Sequence, residues 1–162
     1  MKSALYVVGL VVATMATSAS ADSFKCGNKS DVPNARWYLQ VSHTREAGKP
    51  RKPGFFLLHN AKKGGAIVKT DDRRRIKMTG KGQRGTTYAV KLNKEEKKDL
   101  RALADGRLNL KGAEKVALWV NFEPNEDLED GDTRVGELTI EDEEAEEVYS
   151  TKVGCTYDDA SN

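Results

Sequence analysis

Histidine and cysteine are scarce in this chain, and each scarcity closes off a class of chemistry. Two histidines and two cysteines among 162 residues cannot build a zinc cluster or a dense disulfide framework. His43 follows Ser42 directly, and neighbouring side chains on a strand point to opposite faces, so the two form no nucleophile–base pair. The sequence has no Gly-x-Ser-x-Gly, no Cys-x-x-Cys and no Gly-Lys-Ser/Thr. A hydrolase nucleophile elbow, a redox pair and a phosphate loop are thereby excluded. Gly80, Gly82 and Gly85 have dinucleotide-fingerprint spacing. That motif must open a helix, whereas a strand pattern follows here, so it reads as a turn.

Long apolar runs are also missing. The longest, residues 4–16, is uncharged and follows Lys2. As a helix it would rise about 20 Å, short of the ~30 Å hydrocarbon core of a bilayer. With Ala19-Ser20-Ala21 behind it, the segment 1–21 reads as a secretory signal peptide. The expected mature chain, 22–162, is a single domain with no transmembrane segment, periplasmic or secreted. In such an oxidising compartment Cys26 and Cys155 are expected to form one disulfide joining the terminal regions. Asn28-Lys29-Ser30 matches a glycosylation sequon.

What is present is a series of short apolar clusters separated by turn residues. Residues 36–42, 54–59, 66–69, 75–79, 86–92, 116–122, 134–140 and 147–157 read as strands. Trp37, Leu39 and Val41 share one face, as do Val116, Leu118, Val120 and Phe122. Trp119 is out of phase with the latter set, and an exposed indole there, beside Tyr38, could stack on a sugar. Turns are expected at 62–65, 80–85 and 130–132, with an extended basic loop at 48–53. One helix is expected over 94–104, capped by Asn93, with Glu95 and Glu96 in its first turn and Gly106 beyond its end. About eight strands and one short helix predict an all-β fold, a single-domain antiparallel β-sandwich or a barrel of similar strand count.

Charge is sorted along the chain. Residues 22–115 hold 24 Lys and Arg against 10 Asp and Glu, while residues 116–162 hold 2 against 15. Acidic late strands could neutralise basic early ones across a sheet, or the two could form separate surfaces. The basic candidates for binding are Lys49, Arg51, Lys52, Lys62, Lys63, Arg73, Arg74, Arg75, Lys81 and Arg84. Point charges of this kind suit an anionic polysaccharide, a lipid head group or an acidic protein. Nucleic acid is not expected, because no recognition module is legible.

The acidic candidates are Glu123, Glu126, Asp127, Glu129, Asp130 and Asp132, whose carboxylates suit calcium as the one cofactor to consider. An EF-hand register with Gly131 at its glycine places Leu128 at a ligand position, so any calcium loop here is irregular. The leading expectation is an exported, non-enzymatic binding domain that uses basic hairpins. The alternatives are a calcium-binding β module over 123–132 and an envelope-polymer hydrolase with a carboxylate pair, although no pair stands out.

Overall fold

The computed structural model describes residues 21–44, 49–80 and 84–160. The expected signal peptide, apart from Ala21, lies outside the described residues, as does Lys81. Strands β1 (Ala21–Gly27), β2 (Trp37–Thr44), β3 (Lys52–Asn60) and β4 (Ala66–Thr70) form one antiparallel meander. Strands β5 (Ile76–Thr79), β6 (Thr86–Lys91), β7 (Lys115–Val120), β8 (Thr133–Glu141) and β9 (Glu147–Asp158) form a second. Pairing of β1 with β9 joins them into one sheet ordered β4-β3-β2-β1-β9-β8-β7-β6-β5.

The all-β expectation holds, with two refinements. The described residues form one continuous ladder that curls until β5 approaches β3, so the architecture is a nearly closed barrel rather than two stacked sheets. Alternation of buried and exposed residues is identical in the two architectures, and only the pairing partners separate them. The additional strand is β1. Its pattern is masked because Ser23 is buried alongside Asp22, Phe24 and Cys26. The expected disulfide is present and links Cys26 to Cys155 where β1 and β9 are in register.

The interior follows the predicted phase. Trp37, Leu39, Val41, Val116, Leu118, Val120 and Phe122 are all buried. Trp37 donates from Nε1 to the Tyr149 hydroxyl at 3.0 Å, so the largest side chain is both packed and satisfied. Trp119 lies half-buried on the outer face. Its Nε1 donates to the Arg84 carbonyl at 3.1 Å, over Gly85. No side chain fits beneath that ring: a Cβ at Gly85 would lie 2.3 Å from Nε1, and φ there is +97°.

Helix α1 (Lys94–Arg101) begins as predicted. Asn93 Oδ1 accepts from the Glu95 and Glu96 amides, and the Glu96 carboxylate accepts from the Asn93 amide. It ends three residues before the expected Ala104, because the amides of Leu103 and Ala104 turn to the carbonyls three residues back. Leu100, Leu103, Leu108, Leu110 and Ala113 are buried and close one end of the barrel. At the other end lie the β2–β3, β5–β6 and β7–β8 connections.

Candidate functional site

The sheet fails to close between β3 and β5. After β4 the chain turns at Arg73–Arg75, leaves the β3 ladder and pairs with β6 instead. Pro50 and Pro53 on the facing wall have no amide hydrogen to donate, which disfavours a ladder there. The resulting seam is a cleft of about 810 Å3, lined by Pro50, Arg51, Pro53, Arg73, Ile76, Lys77, Met78, Gly80 and the Glu123–Asn125 turn. Proline rings, Ile76 and Met78 supply apolar surface. Three cations and one carboxylate, Glu123, supply the charge.

Arg51 differs from its expected place on a solvated loop, being only 7% exposed. Its Nη1 donates to the Pro124 carbonyl at 2.7 Å and its Nη2 to the Glu126 carbonyl at 2.9 Å. The guanidinium carbon sits 5.6 Å from the Phe122 ring centroid, and Nε has no hydrogen-bond partner. Among the described residues no carboxylate lies within ion-pair reach of Arg51. Loop 121–132 thus offers it backbone dipoles and a ring face, which stabilise a cation without neutralising it. Arg73 and Lys77 are exposed and likewise have no ion-pair partner among the described residues.

The remaining basic candidates do not form one surface. Lys63 pairs with Asp99 at 2.5 Å, Arg74 with Asp72 at 3.1 Å and Arg75 with Glu96 at 2.6 Å. The Arg74 side chain and amide hold the Asp72 carboxyl below the usual range. Lys62 and Lys63 lie on the β3–β4 turn, at the helix end of the barrel and far from the β2–β3 loop. Lys62 lines a separate cleft of about 450 Å3 with Val32, Pro33, Asn34, Asp105 and Arg107. Lys49, Lys52 and Arg84 are exposed at the opposite end.

Among the described residues, basic side chains pair partly with the acidic third and partly with carboxylates of their own portion. Lys25–Asp158 and Lys115–Glu141 are of the first kind, whereas Lys63, Arg74, Arg75 and Lys97 pair within the basic portion. Within the acidic loop, Arg134 Nη2 contacts Glu126 at 2.7 Å and Asp132 at 3.3 Å. Burial pushes the Glu126 carboxyl up, but the Glu123 amide and Arg134 outweigh it and leave it below the usual range. Asp130 Oδ1 accepts from the Asp159 amide at 3.1 Å. Among the described residues no group of three or more metal-ligating side chains converges.

One buried polar chain had no signal in the sequence. His43 Nδ1 lies 3.0 Å from the Tyr88 hydroxyl, and its Nε2 lies 3.8 Å from Asp22 Oδ2. Tyr157 lies beside the same carboxylate. Burial raises both phenols well above the usual tyrosine range, and the nearby Arg51 charge opposes this without prevailing. His43 and Tyr88 have no solvent contact, so the imidazole is a packing group and not an accessible base. The sequon asparagine is also committed internally. Asn28 Nδ2 donates to Ala35 O and its Oδ1 accepts from Trp37 N, fixing the turn between β1 and β2. No protein-family model matches the chain, and no curated protein matches it in sequence.

Proposed function

We propose that the protein is a non-enzymatic binding domain of an oxidising, extracytoplasmic compartment, and that it engages an anionic partner at the seam cleft. The observation that carries this reading is the cleft lining itself, with Arg51, Arg73 and Lys77 against a single carboxylate. Two of these cations are exposed and lack counter-ions among the described residues. A buried cation with no carboxylate in reach gains from any anion that approaches it, because the surrounding dielectric is low. The cleft volume is within the range of sites that enclose a ligand. The Cys26–Cys155 bridge agrees with export. The enclosed imidazole argues against general-base chemistry.

The test is elution of the oxidised protein from a heparin column in a salt gradient. Retention is expected, with a clear shift to lower salt in the R73E/K77E variant. The K62E/K63E variant, altered at the opposite end, is expected to elute close to the parent. Equal shifts for both variants would mean that net charge alone is read, and flow-through of the parent would remove the reading.

A further inference from the structure

We propose that the outer face of the sheet carries a second binding site, a platform for one neutral pyranose ring of a polysaccharide. It shares no residue with the seam cleft and does not rest on that reading. Among the described residues only two large apolar side chains are exposed, Tyr38 at 50% and Val135 at 58%. The register sets both in one row across four strands. Tyr38 of β2 pairs with Gly27 of β1, Gly27 with Gly154 of β9, and Gly154 with Val135 of β8. Neighbouring strands lie about 4.8 Å apart, so Tyr38 and Val135 stand about 14 Å from each other across a floor without side chains.

Glycine weakens a strand interior, and where it occurs it often marks a bulge or the close approach of a ligand. Neither floor glycine has a positive φ, and both ladders run through them in regular register, so no turn or bulge requires the residue. A Cβ at Gly27 would lie 3.5 Å from the Tyr38 ring, whereas one at Gly154 would meet nothing within 4 Å. The ring therefore rests on Gly27 and leaves Gly154 open beside it. The Cys26–Cys155 bridge ties the two floor strands together, so the platform is formed before anything binds.

The surroundings select the occupant. Lys25 bonds Asp158 on one side of the floor, and Lys152 lies opposite Glu137 on the other. Exposed Thr133 and Thr156 add hydroxyls. With both signs present in equal number, this rim does not favour an anion as the seam does. Donors and acceptors side by side suit hydroxyl groups, which act as both. Two apolar side chains are too few for a protein partner, since a stable interface buries about 800 Å2 on each side around an apolar core. They match one sugar ring with equatorial hydroxyls and C–H faces, as in β-linked glucose. Such a face would stack on Tyr38 while the ring edge meets the polar rim. Trp119, the other tryptophan or tyrosine on this face with a fixed ring, belongs to β7, three strands beyond β2, and its Nε1 is held by the Arg84 carbonyl. Tyr38 is thus the stacking residue.

The test is titration of the oxidised protein with cellohexaose, followed by amide chemical shifts. Saturable binding is expected, with shifts centred on Gly27 and Gly154. Tyr38→Ala and Gly154→Val should each weaken it about tenfold or more, the first by removing the ring and the second by filling the floor, while Tyr38→Phe retains it. Gly154→Val should melt at or above the parent temperature, because its side chain enters open space on a strand. If it melts lower, the contrast between Tyr38→Ala and Tyr38→Phe decides instead. R73E/K77E should bind the sugar as the parent does. No binding at about 10 mM sugar overturns the proposal, as does binding that Tyr38→Ala and Gly154→Val leave unchanged or shifts centred on Trp119. None of these outcomes alters the heparin result at the seam, which stands or falls separately.

Discussion

Removing the Cys26–Cys155 bridge should cost this protein a large share of its stability. The bridge closes a loop of 129 residues, for which the chain-entropy relation gives about 5 kcal/mol at 25 °C, an upper figure because denatured chains are already partly compact. The position within the fold matters as well. Residues 26 and 155 face each other in the β1–β9 pair, the only ladder that joins the two meanders among the described residues. The crosslink therefore restrains the denatured chain at the contact that requires the longest loop closure. For a chain of this size about 3 °C accompanies each kcal/mol, so the melting temperature should drop by about 10–15 °C.

The assay is urea unfolding of the oxidised protein, the reduced protein and the C26A/C155A variant, followed by fluorescence of the tryptophans. The reduced protein keeps both sulfur atoms in the core, whereas the alanine variant loses them. The difference between these two isolates the packing contribution from the crosslink. Both should show a midpoint about 2 M lower and a steeper slope, since the unbridged denatured chain exposes more surface. If the reduced protein stays within about 1 kcal/mol of the oxidised one, the bridge does not restrain the denatured state and the reasoning is wrong.

Two further outcomes follow from the packing. Gly85→Ala should destabilise by about 2–4 kcal/mol, since it combines an unfavourable backbone region with a clash against Trp119 and the Val120 carbonyl. A urea midpoint unchanged from the parent would show that the indole is not seated on Gly85. For the tyrosines, the unfolded chain ionises at about pH 10, while native Tyr88 and Tyr157 hold their protons above that. The native state then binds more protons, so stability should fall as pH rises past about 10. Ultraviolet titration should show these two phenols ionising only as the protein unfolds, and ionisation of every tyrosine in the folded protein near pH 10 would contradict their burial.

How much was legible in advance depended on whether the signal was local. Alternation placed Trp37, Leu39 and Val41 inside, and the Asn93–Glu96 spacing marked the helix start, because both depend on residues a few positions apart. The cysteine pair was legible because the chain has only two. The basic candidates were harder. Arg51, Arg73 and Arg74 looked equivalent in sequence, yet one is buried against two carbonyls, one lines the cleft and one is paired with Asp72.

By itself, then, the sequence determined the β class, the strand phases, the helix cap and the disulfide partners. Each follows from short-range sterics, from the two-residue period of a strand or from elimination. Tertiary structure alone decided that the strands form one nearly closed sheet, that the seam opens between β3 and β5, and that Asp22, His43, Tyr88 and Tyr157 meet in the interior. Those outcomes depend on which strands pair across long stretches of chain, and a period-two pattern is the same whichever neighbour a strand acquires.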